Sequence, residues 1–108
     1  MSAPDPFHAL ADPTRRAILL KVAERPRPVS ELARDFAVSR PAVSKHLRVL
    51  AASGLVGFVA NPTDARQRIV RAELDALAEL DDYLTQLRHF WTDKLDRLGQ
   101  LLTEEDGA

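Results

Sequence analysis

The nine residues from Arg40 to Arg48 carry three cationic side chains (Arg40, Lys45 and Arg48), a hydroxyl at Ser44 and no carboxylate. Apolar Val43, Leu47 and Leu50 fall at i, i+4 and i+7 through and just beyond them, the spacing of one buried helix face. At about 100° per residue, that face turns Arg40, Ser44, Lys45 and Arg48 outward or onto the flanks. An edge made of donors suits a partner rich in acceptors. The major groove of B-form DNA is such a partner, since it admits one helix and offers guanine O6 and N7 to Arg or Lys. Arg40, Ser44 and Lys45 are therefore the candidate base readers, and Arg48, further along, the candidate phosphate contact. Solubilising surface charge is the plain alternative for all four.

A second donor cluster, Arg66, Gln67 and Arg68, follows the turn-forming run Asn61-Pro62-Thr63-Asp64-Ala65. At or just after a hairpin tip, these side chains would reach phosphates or the adjacent minor groove. Asp64 either orients the Arg66 guanidinium or shapes the turn. Arg15 and Arg16 stand in the first turn of a helix opened by Asp12-Pro13, where the helix dipole disfavours cations. A phosphate or a tertiary carboxylate would offset that cost. His46, beside the inward stripe, reads as a half-buried, satisfied histidine rather than a base reader.

Other chemistry is thinly represented. With no Cys in the chain, disulfides, thiolate metal sites and cysteine nucleophiles are excluded. The chain has four Gly and three scattered His, without a phosphate-cradling loop or a converging pair of carboxylates. No catalytic residue and no cofactor are expected, and the chain is not read as an enzyme. His89 and Asp93 share a helical face at i, i+4, with Asp81 and Asp82 upstream; a salt-bridged surface histidine is preferred to a metal site there. The N-terminal Met-Ser-Ala-Pro-Asp-Pro lacks the basic and apolar regions of a leader, and no apolar run approaches a membrane span. A cytoplasmic protein without membrane contact is expected.

The formal net charge of −1 conceals a division. Residues 1–72 hold twelve Lys/Arg and six Asp/Glu, whereas residues 73–108 hold three and ten. A basic body and an acidic C-terminal segment suggest one surface built for a polyanion and another kept away from it.

These side chains need elements to carry them. Phe7, Leu10 and Ala11 suggest a short first helix. After Asp12-Pro13, Ile18, Leu19, Val22 and Ala23 form a buried stripe that should end near Arg25-Pro26. Arg27-Pro28-Val29 is a connector or a very short edge strand. Ser30 is the expected cap of a short helix containing Leu32, Ala33 and Phe36, and Ser39 the cap of the next, with Pro41 in its first turn. Gly54 fits the left-handed position that closes a helix. Val56, Phe58 and Ala60 then alternate with Gly57 and Val59, and Gln67 to Arg71 read as the returning strand.

From Leu74 to Leu102, 29 residues by sequence number, one helix of about 43 Å is expected. Leu77, Leu80, Leu84, Leu87, Trp91, Leu95 and Leu98 step along it by three or four, with Leu102, Phe90 and Leu101 widening the face. A second copy of the chain is the simplest cover for so long an apolar stripe. The expected fold is mostly α (α+β): a winged helix-turn-helix with a long C-terminal dimerisation helix. Residues 7–72 would form the DNA-binding body, with a hairpin wing at about 56–71, residues 73–102 the dimerisation helix and 103–108 a flexible tail.

The assembled pattern resembles the winged-helix repressors of the ArsR family from about Phe7 to Leu102. The resemblance is carried by Leu10-Ala11-Asp12-Pro13-Thr14-Arg15-Arg16-Ala17-Ile18-Leu19, by Val29-Ser30-Glu31-Leu32-Ala33, and by Ser39-Arg40-Pro41-Ala42-Val43-Ser44-Lys45-His46-Leu47-Arg48-Val49-Leu50 followed by Gly54-Leu55-Val56. It implies a homodimeric regulator of transcription, usually a repressor, on a pseudo-palindromic operator near its own promoter, dimerised through its first and last helices. Members that sense metals often carry a Cys pair in the helix matching Ser30–Phe36, or His/Asp ligands on the last helix. Here Glu31, Arg34 and Asp35 do not replace that pair, and the chain looks like a cysteine-free member whose inducer is open. The Asp64-Ala65-Arg66 run also resembles the wing of the MarR family, whose helical dimer domain is larger. A metal-responsive repressor and a winged-helix protein-interaction module are the alternative readings.

Overall fold

The computed structural model describes residues 5–106 and divides into two compact units, residues 1–78 and 79–108. In the first unit, α1 (Pro6–Ala9) is capped by Asp5, whose carboxylate accepts from the His8 amide. So short a helix turns Pro6 and Ala9 inward, and Ala9 is fully buried. Of the residues expected in this helix, Phe7 lies in it and is 42% exposed, while Leu10 and Ala11 fall just beyond its end.

Helix α2 (Pro13–Glu24) begins as Asp12 and Pro13 predict, with the Asp12 carboxylate accepting from the Arg15 amide at 3.0 Å. Ile18, Leu19 and Val22 enter the core. Ala23, expected beside them, is exposed in the last turn, where the chain is already leaving toward Pro26. The two residues of β1 (Arg27–Pro28) pair with a later strand, and α3 (Val29–Asp35) follows without a break. Its cap is therefore Pro28, which offers no side-chain acceptor, and the expected cap Ser30 lies one residue inside the helix. Pro28 itself is extended, with φ −65° and ψ 149°, and the helical backbone begins at Val29.

Between α3 and α4 (Arg40–Ala52) the chain closes a Schellman turn. The Val38 amide donates to Ala33 and the Ala37 amide to Arg34, with Ala37 at φ 52°. Ser39 caps α4 through the Ala42 amide at 3.2 Å. Val43, Leu47 and Leu50 are all buried, as their spacing requires. The end of α4 closes the same way: Leu55 donates to Leu50 and Gly54, at φ 79°, to Ala51.

Strands β2 (Val56–Asn61) and β3 (Asp64–Ala72) form the hairpin, and β1 joins the far edge of β3. The result is a three-stranded antiparallel sheet in the order β1-β3-β2. The returning strand starts earlier than Gln67, at Asp64, after an irregularity between Ala60 and Asn61. Leu55, Val56 and Val70 pack into the same core as Leu32 of α3 and the stripes of α2 and α4. A two-stranded hairpin is marginal alone; the third strand and this buried apolar contact hold the wing to the body.

The joint after β3 is fixed by Glu73, whose amide donates to Leu55 at 2.9 Å and whose carboxylate accepts from Arg71 Nε. A Cβ on Gly57 would meet that carboxylate, the far end of a flexible side chain, which would have to shift to admit it. Helix α5 (Leu74–Asp106) extends over 33 residues, about 50 Å. Its helical backbone continues past Leu102, where a flexible tail was expected, through Thr103 to Asp106, a run without Gly or Pro. Gly107 and Ala108 lie outside the described residues.

In the second unit, large apolar side chains remain exposed. Leu84, Leu87, Trp91, Leu95 and Leu98 are 40–63% exposed, as are Phe90, Leu101 and Leu102 at intermediate values in that range. Leu80 differs, at 8% exposed, and Leu77, in the first unit, is half-buried. No described helix is long and apolar enough to cross a membrane.

Candidate nucleic-acid interface

The basic groups of the first unit fall into two sets. Arg15 donates from Nε to the Ala9 carbonyl at 2.6 Å, and Arg16 from Nη1 to the Leu10 carbonyl at 2.9 Å. Both serve the open C-terminal carbonyls of α1, so backbone oxygen engages the two guanidinium groups for which a phosphate or a tertiary carboxylate was considered. Arg27 is buried at 7% exposure and fully engaged: Nε on the Lys21 carbonyl, Nη2 on Glu24 at 2.8 Å, Nη1 on Glu31 at 3.4 Å. Arg25 pairs with Glu31 at 2.6 Å, Lys21 with Asp35 at 3.7 Å, and Arg71 with Glu73 at 3.0 Å. The Glu31 carboxyl is held below its ordinary value chiefly by the Arg25 hydrogen bond.

Arg34, Arg40, Lys45, Arg48, Arg66 and Arg68 form the second set: among the described residues, none of their side chains donates a hydrogen bond or enters an ion pair. Five of these lie on α4 or the wing. Arg40, Ser44, Lys45 and Arg48 are exposed, on the side of α4 away from Val43, Leu47 and Leu50. Structural demand thus accounts for one set of cations and leaves the other facing solvent on α3, α4 and the wing. Arg34, exposed on α3, was not singled out by sequence reasoning. Its signal was available, since Leu32 and Ala33 fix the inward side of α3.

The wing residues separate. Asp64 accepts from the Arg66 backbone amide at 3.0 Å, which decides for turn shaping and leaves the Arg66 guanidinium unengaged. Gln67 Oε1 accepts from Asn61 Nδ2 at 2.9 Å and ties the two strands together. Arg68 lies over the Phe58 ring, 5.2 Å from its centroid. Two clefts run between α4 and the sheet. One of about 540 Å³ includes Ser44, Arg48, Phe58 and Arg68 in its walls; the other, about 210 Å³, includes Arg40, Ser44, Arg66 and Arg68.

His46 is half-buried as expected, but not satisfied as expected. Its Nδ1 is buried without a hydrogen bond, 3.9 Å from Asp12 Oδ2. Asp12 is held below its ordinary value chiefly by the Arg15 amide, which donates to Oδ2 at 3.0 Å. Among the described residues no group of three or more His, Asp or Glu side chains is placed to hold a metal ion.

A helix-turn-helix whose second helix exposes an unneutralised donor edge, flanked by a basic wing, defines a winged-helix DNA-binding regulator of transcription. Residues 12–57 match the bacterial regulatory protein, arsR family, and the chain belongs to that family. It is 46% identical over 99 residues to the HTH-type transcriptional regulator Rv2034 of Mycobacterium tuberculosis, covering 92% of this chain and 87% of the relative. It is 46% identical over 50 residues to the HTH-type transcriptional repressor SmtB of Mycobacterium tuberculosis, covering 46% of this chain and 37% of that one. Among solved structures, an ArsR-like transcriptional regulator from Rhodococcus sp. RHA1 superposes with a TM-score of 0.72 at 34% identity, over 88% of this chain and 87% of that one.

Proposed function

We propose that two copies of the chain pair through the apolar face of α5 and together occupy a pseudo-palindromic operator, repressing transcription from it. Arg40, Ser44 and Lys45 read base edges. Arg48 and the wing contact the backbone. The observation that carries this reading is the sorting of cations: the basic groups elsewhere in the first unit are largely engaged within the protein, whereas those on α4 and Arg66 are not. Pairing is supported by the row of exposed apolar residues from Leu84 to Leu98, a patch that a soluble monomer rarely leaves open. Repression, and an operator near the chain's own promoter, are the reading that family membership and the likeness to a named repressor support. A cytoplasmic location accords with that role.

The test is selection of bound duplexes from a random-sequence pool, followed by footprinting. The expected outcome is a dyad-related pair of half-sites separated by one helical turn or a multiple, about 10 bp or its multiples. A single unrepeated site, bound by one chain, would overturn the dimeric reading.

A further inference from the structure

We propose that the cleft between α4 and the sheet seats one DNA phosphodiester, gripped by Arg68, with Phe58 as the residue that positions Arg68. This rests on the reading of α4 as the DNA-contacting helix.

The strand register explains where Arg68 stands. Phe58 pairs with Val70 and Ala60 with Arg68, so Phe58, Arg68 and Val70 share one side of the sheet. Val70 is fully buried, which identifies that side as the one facing the helices. Arg68 thus lies on the core-facing side, two residues further out along the strand than buried Val70. Phe58 and Arg68 are diagonal cross-strand neighbours, within reach for an aromatic ring and a long side chain.

The Arg68 guanidinium carbon lies 5.2 Å from the Phe58 centroid, a cation–π contact that uses none of its N–H donors. Those donors form a fork matched to two oxygens of a phosphate. Arg68 lines both clefts, with Ser44 across from it on α4. No carboxylate lines either cleft, and Arg68 makes no ion pair among the described residues. The anion this arrangement lacks is one that the protein does not supply. Arg66 has no aromatic partner among the described residues and is therefore left to adapt to whatever lies beneath the wing tip.

The test uses a duplex that the wild-type chain selects from a random-sequence pool, titrated across a salt series. Arg68→Ala is expected to reduce the slope of log affinity against log salt by about 0.9, one phosphate contact. Phe58→Leu should weaken binding about threefold in the wild-type background, and not at all in the Arg68→Ala background. Phe58→Tyr, which keeps the ring, should bind as wild type; with the Arg68→Ala slope, it carries the test if Phe58→Leu does not fold. An unchanged slope in Arg68→Ala, or an equal loss from Phe58→Leu in both backgrounds, would overturn the proposal while leaving the DNA reading intact. Failure of the wild-type chain to select any duplex would sink both.

Discussion

Arg40 and Lys45 lie more than one turn apart on the exposed edge of α4, where a base-edge contact carries discrimination and a phosphate contact does not. Replacing either with Ala should weaken binding to the selected duplex by about tenfold or more, since a good base contact is worth about 1–3 kcal/mol. Binding to unrelated duplex should change far less. Fluorescence anisotropy with both duplexes checks this, and equal losses on the two would reassign the residue to the backbone. Glu31 answers to pH instead. Its carboxyl is lowered in the folded chain, so its contribution is present above its ordinary 4.5 and is lost as pH falls through the folded value. Glu31→Gln should therefore melt below wild type at neutral pH, and the difference should close on acidification. A gap in melting temperature that persists at the acid end would assign the effect to lost packing rather than charge.

Elements depend on a few terminal residues. Ser39 alone supplies the side-chain cap of α4, and Ser39→Ala should cost about 1 kcal/mol in denaturant unfolding. That cap was legible in the sequence, as were Asp12-Pro13, the Val43/Leu47/Leu50 stripe and the closure at Gly54, because each rests on local geometry. What escaped depends on distant partners. Ser30 reads as a cap until β1 pairs Pro28 with Ile69 and hands the helix start to the preceding residue. Arg15 and Arg16 read as awaiting an anion because the carbonyls they serve belong to another helix. Phe58 was legible as a strand residue but not as a platform for Arg68, since that contact is set by cross-strand register. His46 could be placed beside the core, yet nothing in its spacing shows that Asp12 would stop short of a hydrogen bond.

For the whole molecule, the decisive surface is the row from Leu84 to Leu98. Changing Leu87 and Trp91 together to Glu should shift the protein to monomer in sedimentation velocity. Affinity for the selected duplex should fall by about 100-fold or more, since binding both half-sites through one dimer has the character of an intramolecular second step. A dimer that survives the change would place the interface elsewhere. The acidic excess of residues 73–108 agrees with this division of labour, because a pairing segment has no need of the polyanion that the basic body meets.

The two Schellman turns differ in one atom. Gly54 closes α4 without strain, whereas Ala37 lies in the same left-handed region with a Cβ attached, between the two helices of the reading motif. Ala37→Gly would relieve strain of about 1 kcal/mol, yet it would also enlarge the unfolded ensemble by about as much. The melting temperature should therefore stay within a few degrees of wild type, while duplex affinity drops because the α3–α4 angle is less firmly set; paired melts and titrations check both. Quality control that senses unfolding would pass such a variant, and a regulatory circuit would not. Inheritance of an intact but imprecise regulator is thus the characteristic hazard of this position, visible only where gene expression is under selection.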